Sequence, residues 1–357
     1  MAIDRFFICM TLKFKYISMK NNNTHLLVTT IFLFFIACTF NKEKINFEKE
    51  ERISSVPLGD SPFLGQPIAL EHFNNQLIIS DFRTDSLLTI FDLNINQVIS
   101  TLSRKGIGPN EALPPLMISI VNDTLLTFNR GKFQIGYYLL KEKYNTREEN
   151  IFLFKVPTEV YRIVYLRNNI FLSAGFFKNR YALLNINGDI DRTFGDFPEF
   201  LSGEKDRPTD AKVMFHQILN FTTNRNRKKA ACLSSHILDI IDFSDNVFIH
   251  QRVQLDTYDY KFSTGNIVRA DRTINTSRGA LDITSTEKYI YVLFNYSKDD
   301  RSSEINTSIW VFDWFGSPIK KLILDSNTRF ITAINDNVIY ALALIEDEYN
   351  IVKLNIP

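Results

Sequence analysis

The sequence predicts an all-β fold: a six-bladed β-propeller of four-stranded antiparallel blades, its ring closed by an N-terminal strand that completes the last blade. Three observations lead to this prediction. From about residue 51 onwards, short runs of β-branched and aromatic residues alternate with Asn, Asp and Gly turns. One pattern of such runs occurs six times along the chain. The sixth copy is one strand short.

The composition is that of a folded globular protein. Hydrophobic residues make up 45% of the 357 residues and charged residues 23%, and the chain contains 31 Phe and 14 Tyr. Aromatic side chains favour strands, and the apolar spacing typical of helices is not sustained anywhere, so we expect few helices. The net charge of +1 creates no field that would attract nucleic acid. We therefore expect no nucleic-acid partner.

The first repeat shows the four-strand pattern most clearly. Residues 68–102 divide into four strands, with Asn74-Asn75 at the first turn and Asn94-Ile95-Asn96 at the third. The sequence pattern of the first two strands recurs at 117–129, 161–175, 218–235, 281–295 and 330–344. Intervals of about 46 to 60 residues are typical of propeller blades. The blades are therefore expected at 66–105, 114–157, 158–197, 214–256, 279–325 and 328–357.

The last repeat supplies three strands, which would leave one edge of its sheet unpaired. The segment 51–58 precedes the first repeat and alternates polar and apolar residues, as a half-buried strand does. We expect this segment to complete the last blade, because pairing there removes an exposed edge.

The N-terminal residues have the pattern of a targeting segment. Residues 26–37 (LLVTTIFLFFIA) form an apolar run that is too short to span a bilayer but suits the core of a signal peptide. Lys20 supplies the positive charge expected before such a run, so we take Met19 as the start of translation. Residues 1–37 are then the signal-peptide region, and residues 1–18 of it precede the start of translation.

The four residues Phe35-Ile36-Ala37-Cys38 resemble a bacterial lipobox, although the family pattern prefers Leu where Phe35 stands. The resemblance implies cleavage before Cys38 and attachment of diacylglycerol to its thiol. Two or more acyl chains anchor a protein stably. We therefore expect residues 38–50 to be a flexible tether and the protein to reside in the bacterial cell envelope, at the outer membrane.

No pattern of a catalytic or metal site is present. The three cysteines, Cys9, Cys38 and Cys232, form no disulfide framework and no zinc spacing. The histidines lie outside metal-binding spacings, and no Gly-x-Ser-x-Gly elbow occurs. We therefore expect no cofactor and name no catalytic residue.

The candidate ligand-binding residues lie in loops that share one face of the propeller. In four-stranded antiparallel blades, the loops after the second strands and the connections between blades open on the same side. The candidates in these loops are Asp81, Arg83, Arg104, Gly106, Gly108, Glu111, Arg130, His236 and Tyr296. Two insertions, 198–213 and 256–280, fall on the same face. We expect this face to bind a small molecule, a glycan or an envelope protein.

The connection from Gly106 to Glu111 has two interpretations. It could be a ligand-binding loop, or a structural turn in which the glycines allow a sharp bend and Glu111 caps nearby amides. A nucleotide site is disfavoured because no helix pattern follows.

Together with the lipobox, two phrases resemble the TolB-like six-bladed propeller lipoproteins of Bacteroidetes. They are residues 77–92 (LIISDFRTDSLLTIFD) and residues 104–111 (RKGIGPNE). In the second phrase, Asn110 stands where family members have a glycine. The resemblance implies the fold and the cellular location, and it assigns no biochemical role.

Two functional hypotheses follow. The first is a non-catalytic binding protein anchored to the envelope membrane. The alternative is a propeller enzyme of the lyase or calcium-dependent lactonase type, in which Glu, Asn and Asp side chains around the central channel would hold the ion.

Overall fold

The computed structural model of the protein describes residues 45–59, 61–140, 150–199, 208–244, 249–256, 260–262, 270–272, 276–298 and 307–357. The expected signal peptide, Cys38 and the tether up to residue 44 lie outside the described residues. Among the residues described, no helix is long and apolar enough to cross a membrane.

The N-terminal strands and the first three blades come first in the chain. Two short strands precede the blades: β1 (Glu50–Ile53) and β2 (Ser55–Pro57). Blade one contains β3 (Pro67–Phe73), β4 (Gln76–Asp81), β5 (Ser86–Asp92) and β6 (Gln97–Arg104). Blade two contains β7 (Leu116–Val121), β8 (Thr124–Asn129), β9 (Gln134–Leu139) and β10 (Ile151–Lys155). Blade three contains β11 (Val160–Tyr165), β12 (Phe171–Gly175), β13 (Tyr181–Leu184) and β14 (Ile190–Phe194).

The second half of the ring follows the same order. A short helix, α1 (Thr209–Phe215), leads into blade four. Blade four contains β15 (Ile218–Thr223), β16 (Lys229–Ser234), β17 (Ile237–Asp242) and β18 (Ile249–Gln254). A small hairpin follows, β19 (Tyr260–Phe262) with β20 (Ala270–Arg272). Blade five contains β21 (Gly279–Ser285), β22 (Tyr289–Asn295), β23 (Thr307–Asp313) and β24 (Pro318–Leu324). Blade six contains β25 (Asn327–Asn335), β26 (Val338–Ile345) and β27 (Glu348–Asn355).

The two ends of the ring differ in their connections. We call the end with the second-to-third-strand loops, such as 82–85, and the blade-to-blade connections, such as 105–115, the loop end. The opposite end, with the first-to-second-strand and third-to-fourth-strand turns, such as 74–75 and 93–96, is the turn end. Both insertions lie at the loop end; the first contains α1 and the second contains the β19–β20 hairpin.

The third strands of four blades end in the same type of turn. In each, an Asp or Asn side chain accepts a hydrogen bond from the backbone N–H two residues later, at 2.8 or 2.9 Å. The four residues are Asp92, Asn185, Asp242 and Asp313. Short polar side chains favour such turns because they bond their own backbone. The recurrent third-strand endings of the sequence therefore have a structural cause.

Six clusters of buried hydrophobic residues hold the ring together, and each lies between neighbouring blades. The cluster between blades six and one contains Leu342 and Ile351 from blade six and Leu77, Ile79 and Phe91 from blade one. Cys232, a buried residue of the cluster between blades three and four, has no disulfide partner. Stacking of neighbouring blades therefore forms a continuous core around the ring.

The expected closing segment 51–58 is divided between two blades. Ser55–Pro57 (β2) pairs antiparallel with β27 and gives blade six its fourth strand. Glu50–Ile53 (β1) instead pairs parallel with β24, so blade five has five strands rather than the four expected. Ile53 is 6% exposed and contributes to the core between blades five and six.

The predicted boundary between tether and propeller, at residue 50, lies too far along the chain. Residues 45–50 belong to the propeller. Ile45 and Phe47 pack against the core between blades four and five. The ring of Phe47 lies edge-on to Trp310, with centroids 5.2 Å apart, and to Phe312, at 5.8 Å. The residues around Ile45 and Phe47 are polar and charged, so the sequence did not indicate that these two side chains pack against the propeller.

Candidate functional site in the central channel

The first strands of the six blades line the central channel, and five of them share an irregularity. Near the loop end, β3, β11, β15, β21 and β25 each have a β-bulge, whereas the pairing of β7 with β8 is regular. The extra residues at the bulges are Ile68, Tyr161, Leu219, Leu281 and Arg329. Bulges redirect side chains and are frequent beside functional sites.

The register places one residue of each blade at the same level. In five blades this residue directly follows the bulge, and in blade two it is the residue with the equivalent pairing position. These residues are Ala69, Met117, Arg162, Asn220, Asp282 and Phe330. Asn220 Nδ2 donates to Asp282 Oδ1 at 2.8 Å, and a guanidinium nitrogen of Arg162 contacts the Met117 sulfur. Two of the six residues, Arg162 and Asp282, are charged. This level therefore places two opposite charges inside the propeller near its loop end.

Two carboxyl groups in the channel have raised pKa values. Burial and the Asp282 charge raise the pKa of Glu71 to about 8, although Arg227 opposes the increase. Burial raises the pKa of Asp282 to about 6, against hydrogen bonds from Asn220 and from the Ile331 N–H, which lies 3.0 Å from Oδ2. Glu71 and Asp282 belong to blades one and five, which are not neighbours. Their interaction therefore crosses the channel.

Arg227 spans the channel at the turn end. It lies in the turn between β15 and β16 with a left-handed φ of 55°. Its guanidinium donates to the carbonyl oxygen of Tyr165 at 2.9 Å, to Thr223 Oγ1 at 3.2 Å and to the carbonyl oxygen of Ile120. These acceptors belong to blades three, four and two. One side chain thus joins three blades and also faces Glu71 of blade one.

Asp81 organises its own loop at the loop end. It is 1% exposed and accepts hydrogen bonds from the backbone N–H groups of Gln66 at 3.0 Å, Arg83 at 2.8 Å and Thr84 at 3.3 Å. Asn129 and Asn295 do the same at the corresponding positions of blades two and five. The carboxylate of Asp81 is directed to its own backbone, which is a structural role.

The Gly106–Glu111 connection has the geometry of a structural turn. The Gly108 N–H donates to Glu111 Oε2 at 2.8 Å, and Lys132 Nζ donates to the carbonyl oxygens of Gly108 at 2.8 Å and Glu111 at 2.6 Å. A Cβ at Gly106 would lie 2.0 Å from Glu111 Oε2. The glycines thus allow Glu111 to fold over the turn, which favours the structural interpretation of this segment.

The other predicted residues occupy different surroundings. Arg83 and Arg104 are exposed at the loop end. His236 is buried beside Ser277, with Nε2 and Oγ 3.4 Å apart. Tyr296 packs against Trp310 at a centroid distance of 5.7 Å. Arg130 contacts a channel-lining strand, since its Cζ lies 3.6 Å from the ring centroid of Tyr161 in β11.

Sequence reasoning missed the channel residues Glu71, Arg162, Arg227 and Asp282. They are contributed by four different blades, and a spacing pattern along the chain therefore does not connect them. The available signal was a charged residue within an apolar first strand, as with Glu71 in IALEHF and Arg162 in VYRIVY. Such residues are rarely buried without a reason.

The calcium-dependent alternative requires a set of oxygen ligands at the channel. Among the residues described, no three His, Cys, Asp or Glu side chains lie close enough together to hold a metal ion. The channel combines two carboxyl groups with two guanidinium groups. That combination suits hydrogen bonding to a polar ligand.

Comparison with known proteins agrees with this architecture. A candidate exported protein of Bacteroides fragilis has a solved structure that matches with a TM-score of 0.52 at 13% identity, covering 87% of this chain and 99% of that one. A DUF4221 family member from Bacteroides vulgatus matches with a TM-score of 0.52 at 10% identity, covering 85% and 96%. At such identities the likeness shows the fold alone.

No curated protein matches the sequence. The family model described as TolB-like 6-blade propeller-like matches residues 46–336, which is most of the chain and nearly all of the propeller. The match begins within the segment that contains Phe47 and ends in blade six. The chain belongs to the TolB-like six-bladed propeller family.

Proposed function

We propose that the protein is an exported lipoprotein, anchored through Cys38, whose propeller binds a small polar ligand in its central channel. The anchor is supported by the resemblance of residues 35–38 to a lipobox. Export is supported by the description of the similar Bacteroides fragilis protein as a candidate exported protein.

One observation carries the binding function: the channel contains polar groups that the fold leaves unsatisfied. Arg162 Nε is buried without a hydrogen-bond partner among the described residues. The carboxyl group of Glu71 is only partly exposed, and no hydrogen bond from a described residue reaches it. Buried polar groups are nearly always hydrogen-bonded. A ligand that supplies the missing donors and acceptors would satisfy both.

A thermal-shift screen against the purified protein tests the binding function. The screen would contain neutral sugars, amino acids, organic acids and phosphate esters. We expect stabilising compounds to lose their effect in Ala69→Phe, since position 69 shares its level with Arg162 and Asp282. The matched control, Ser100→Phe in the fourth strand of blade one, should retain the effect. Compounds that stabilise both variants equally would place the site outside the channel, and a screen without any stabilising compound would contradict the function.

Membrane fractionation tests the anchor. The wild-type protein should be found with membranes and carry the mass of added acyl chains. Cys38→Ser should be released or left with its signal peptide uncleaved. A wild-type protein without acyl mass would refute lipidation.

A further inference from the structure

Two arginines at the loop end of the channel lie against the same aromatic ring. Arg130 Cζ lies 3.6 Å from the centroid of Tyr161, and Arg162 Cζ lies 5.5 Å from it. Arg130 comes from the loop after β8 of blade two, whereas Tyr161 and Arg162 are consecutive residues at the bulge of β11. The bulge therefore brings two positive charges of neighbouring blades together.

Neither guanidinium group has a carboxylate partner. Among the described residues, no ion pair within 4.0 Å includes Arg130 or Arg162, and the N–H of Arg162 Nε has no acceptor. Burial, together with the nearby Arg130 charge, lowers the pKa of Arg162, although Tyr161 and Asp282 oppose the decrease. Arg329, the residue at the bulge of blade six, also lacks an ion pair within the described part of the chain. Three arginines without an ion pair to a described residue thus lie at this end of the channel, and Asp282, at the level of Arg162, offsets part of their charge.

Arg180 shows how the same fold satisfies a buried arginine. It is 1% exposed, and its Nε donates to Asp239 Oδ2 at 2.8 Å. Its two terminal nitrogens donate to the His216 carbonyl oxygen at 2.9 Å and to Ser234 Oγ at 2.6 Å. Every nitrogen of Arg180 has an acceptor. Arg162 lies two strands away in the same blade, and the missing acceptor at its Nε is thus a local feature and not a general property of the fold.

We infer that Arg130 and Arg162 form the recognition site for the anionic group, a carboxylate or a phosphate, of the ligand that enters the channel. The inference rests on the proposed function and specifies the ligand class. Planar guanidinium groups bind both anions through paired hydrogen bonds. Tyr161 holds both groups by cation–π contact. The anion would supply the acceptor that Arg162 Nε lacks and neutralise the repulsion between the two arginines.

Calorimetric titration at constant ionic strength tests this inference. The probes are glucuronate, glucose 6-phosphate, inorganic phosphate and glucose. Comparison of glucuronate with glucose 6-phosphate distinguishes a carboxylate from a phosphate. We expect at least one anion to bind the wild-type protein and glucose to bind at least tenfold more weakly. Arg130→Met and Arg162→Met should each weaken anion binding at least tenfold. Lys178→Met, which removes an exposed positive charge from the loop after β12 at the same end, should leave it within twofold.

Melting temperature separates recognition from a structural role. Because Arg162 forms no ion pair with a described residue and its buried Nε has no acceptor there, Arg162→Met should melt at the wild-type temperature or above it. A drop of several degrees would overturn the inference in favour of a structural arginine. Equal anion binding by the wild type and both variants would also overturn it. If glucose binds and Ala69→Phe abolishes this while anions do not bind, the proposed function stands and the anion site falls. If no probe binds and the screen above yields no ligand, both fall.

Discussion

The carboxyl group of Glu71 lies across the channel from Asp282, and its pKa of about 8 lies well above the ordinary value of 4.5. Between these two values the folded protein holds a proton that the unfolded chain has released. The stability that this proton confers is complete below about pH 4.5 and is lost as the pH rises through about 8. The contribution of Glu71 to the stability of the folded protein is therefore largest when its carboxyl group is neutral.

We expect the protein to lose about 2 kcal/mol of stability between pH 6.5 and pH 9 through Glu71. Glu71→Gln is neutral at every pH and should remove this loss. Asp282, with a pKa of about 6, is already mostly ionised in this range and adds little. Melting temperatures of both proteins across the range provide the measurement, with the exposed Glu348→Gln as a control that keeps the wild-type loss. A Glu71→Gln variant with an unchanged pH dependence would show that Glu71 is not the titrating group.

At the scale of single elements, the turn between β15 and β16 offers a test of the channel's turn end. Arg227 donates to acceptors on three blades, whereas the side chain of its neighbour Arg225 is exposed. Hydrogen bonds that involve a charged group contribute about 1.5–3 kcal/mol each, but the three bonds of one half-buried side chain do not add in full, and alanine keeps the strained left-handed backbone. We expect Arg227→Ala to destabilise the protein by about 2–4 kcal/mol and Arg225→Ala by less than about 0.5 kcal/mol. Urea denaturation measures both, and equal effects would mean that the contacts across the channel contribute nothing.

The same turn illustrates what the sequence could and could not predict. Its basic run, residues 225–229, has the composition of a solvated turn, and that description suits Arg225. The backbone conformation at Arg227 and the acceptors on blades two and three exist only after the ring has formed. The Asx turns at Asp92 and Asp313 are different, because the side chain bonds residues two positions away and the signal is local. Local features were therefore predictable, and features that join distant blades were not.

At the scale of the whole molecule, closure of the ring depends on the N-terminal segment in two places. Phe47 packs on the third strand of blade five, β1 pairs with the fourth strand of that blade, and β2 completes blade six. The division between two blades could not be predicted, because the alternation of residues 51–58 fits either sheet edge equally well. Burial of Ile53 between blades five and six decides it.

Three truncated proteins, beginning at Ile45, Ser54 and Gly59, test this closure. Relative to the first, the second lacks Phe47 and β1, and we expect it to lose about 2–3 kcal/mol through the aromatic contacts and the burial of Ile53. The third also lacks β2 and Leu58, whose N–H donates to the Ile351 carbonyl oxygen at 2.9 Å. Each lost backbone hydrogen bond removes about 0.5–1.5 kcal/mol, and the core between blades six and one becomes exposed at its outer edge.

The melting temperatures of the three proteins should therefore fall in that order. Phe47→Ala in the longest protein should reproduce part of the first step, since it removes the ring from Trp310 and Phe312 while leaving β1 paired. Hydrogen exchange locates the second step, because opening at β2 should expose the amides of β27 before those of β26, the strand that remains paired on both sides. If the protein that begins at Gly59 melts like the one that begins at Ile45, the ring does not depend on its N-terminal strands. Blade six would then be stable with three strands, held by its packing against blades five and one alone.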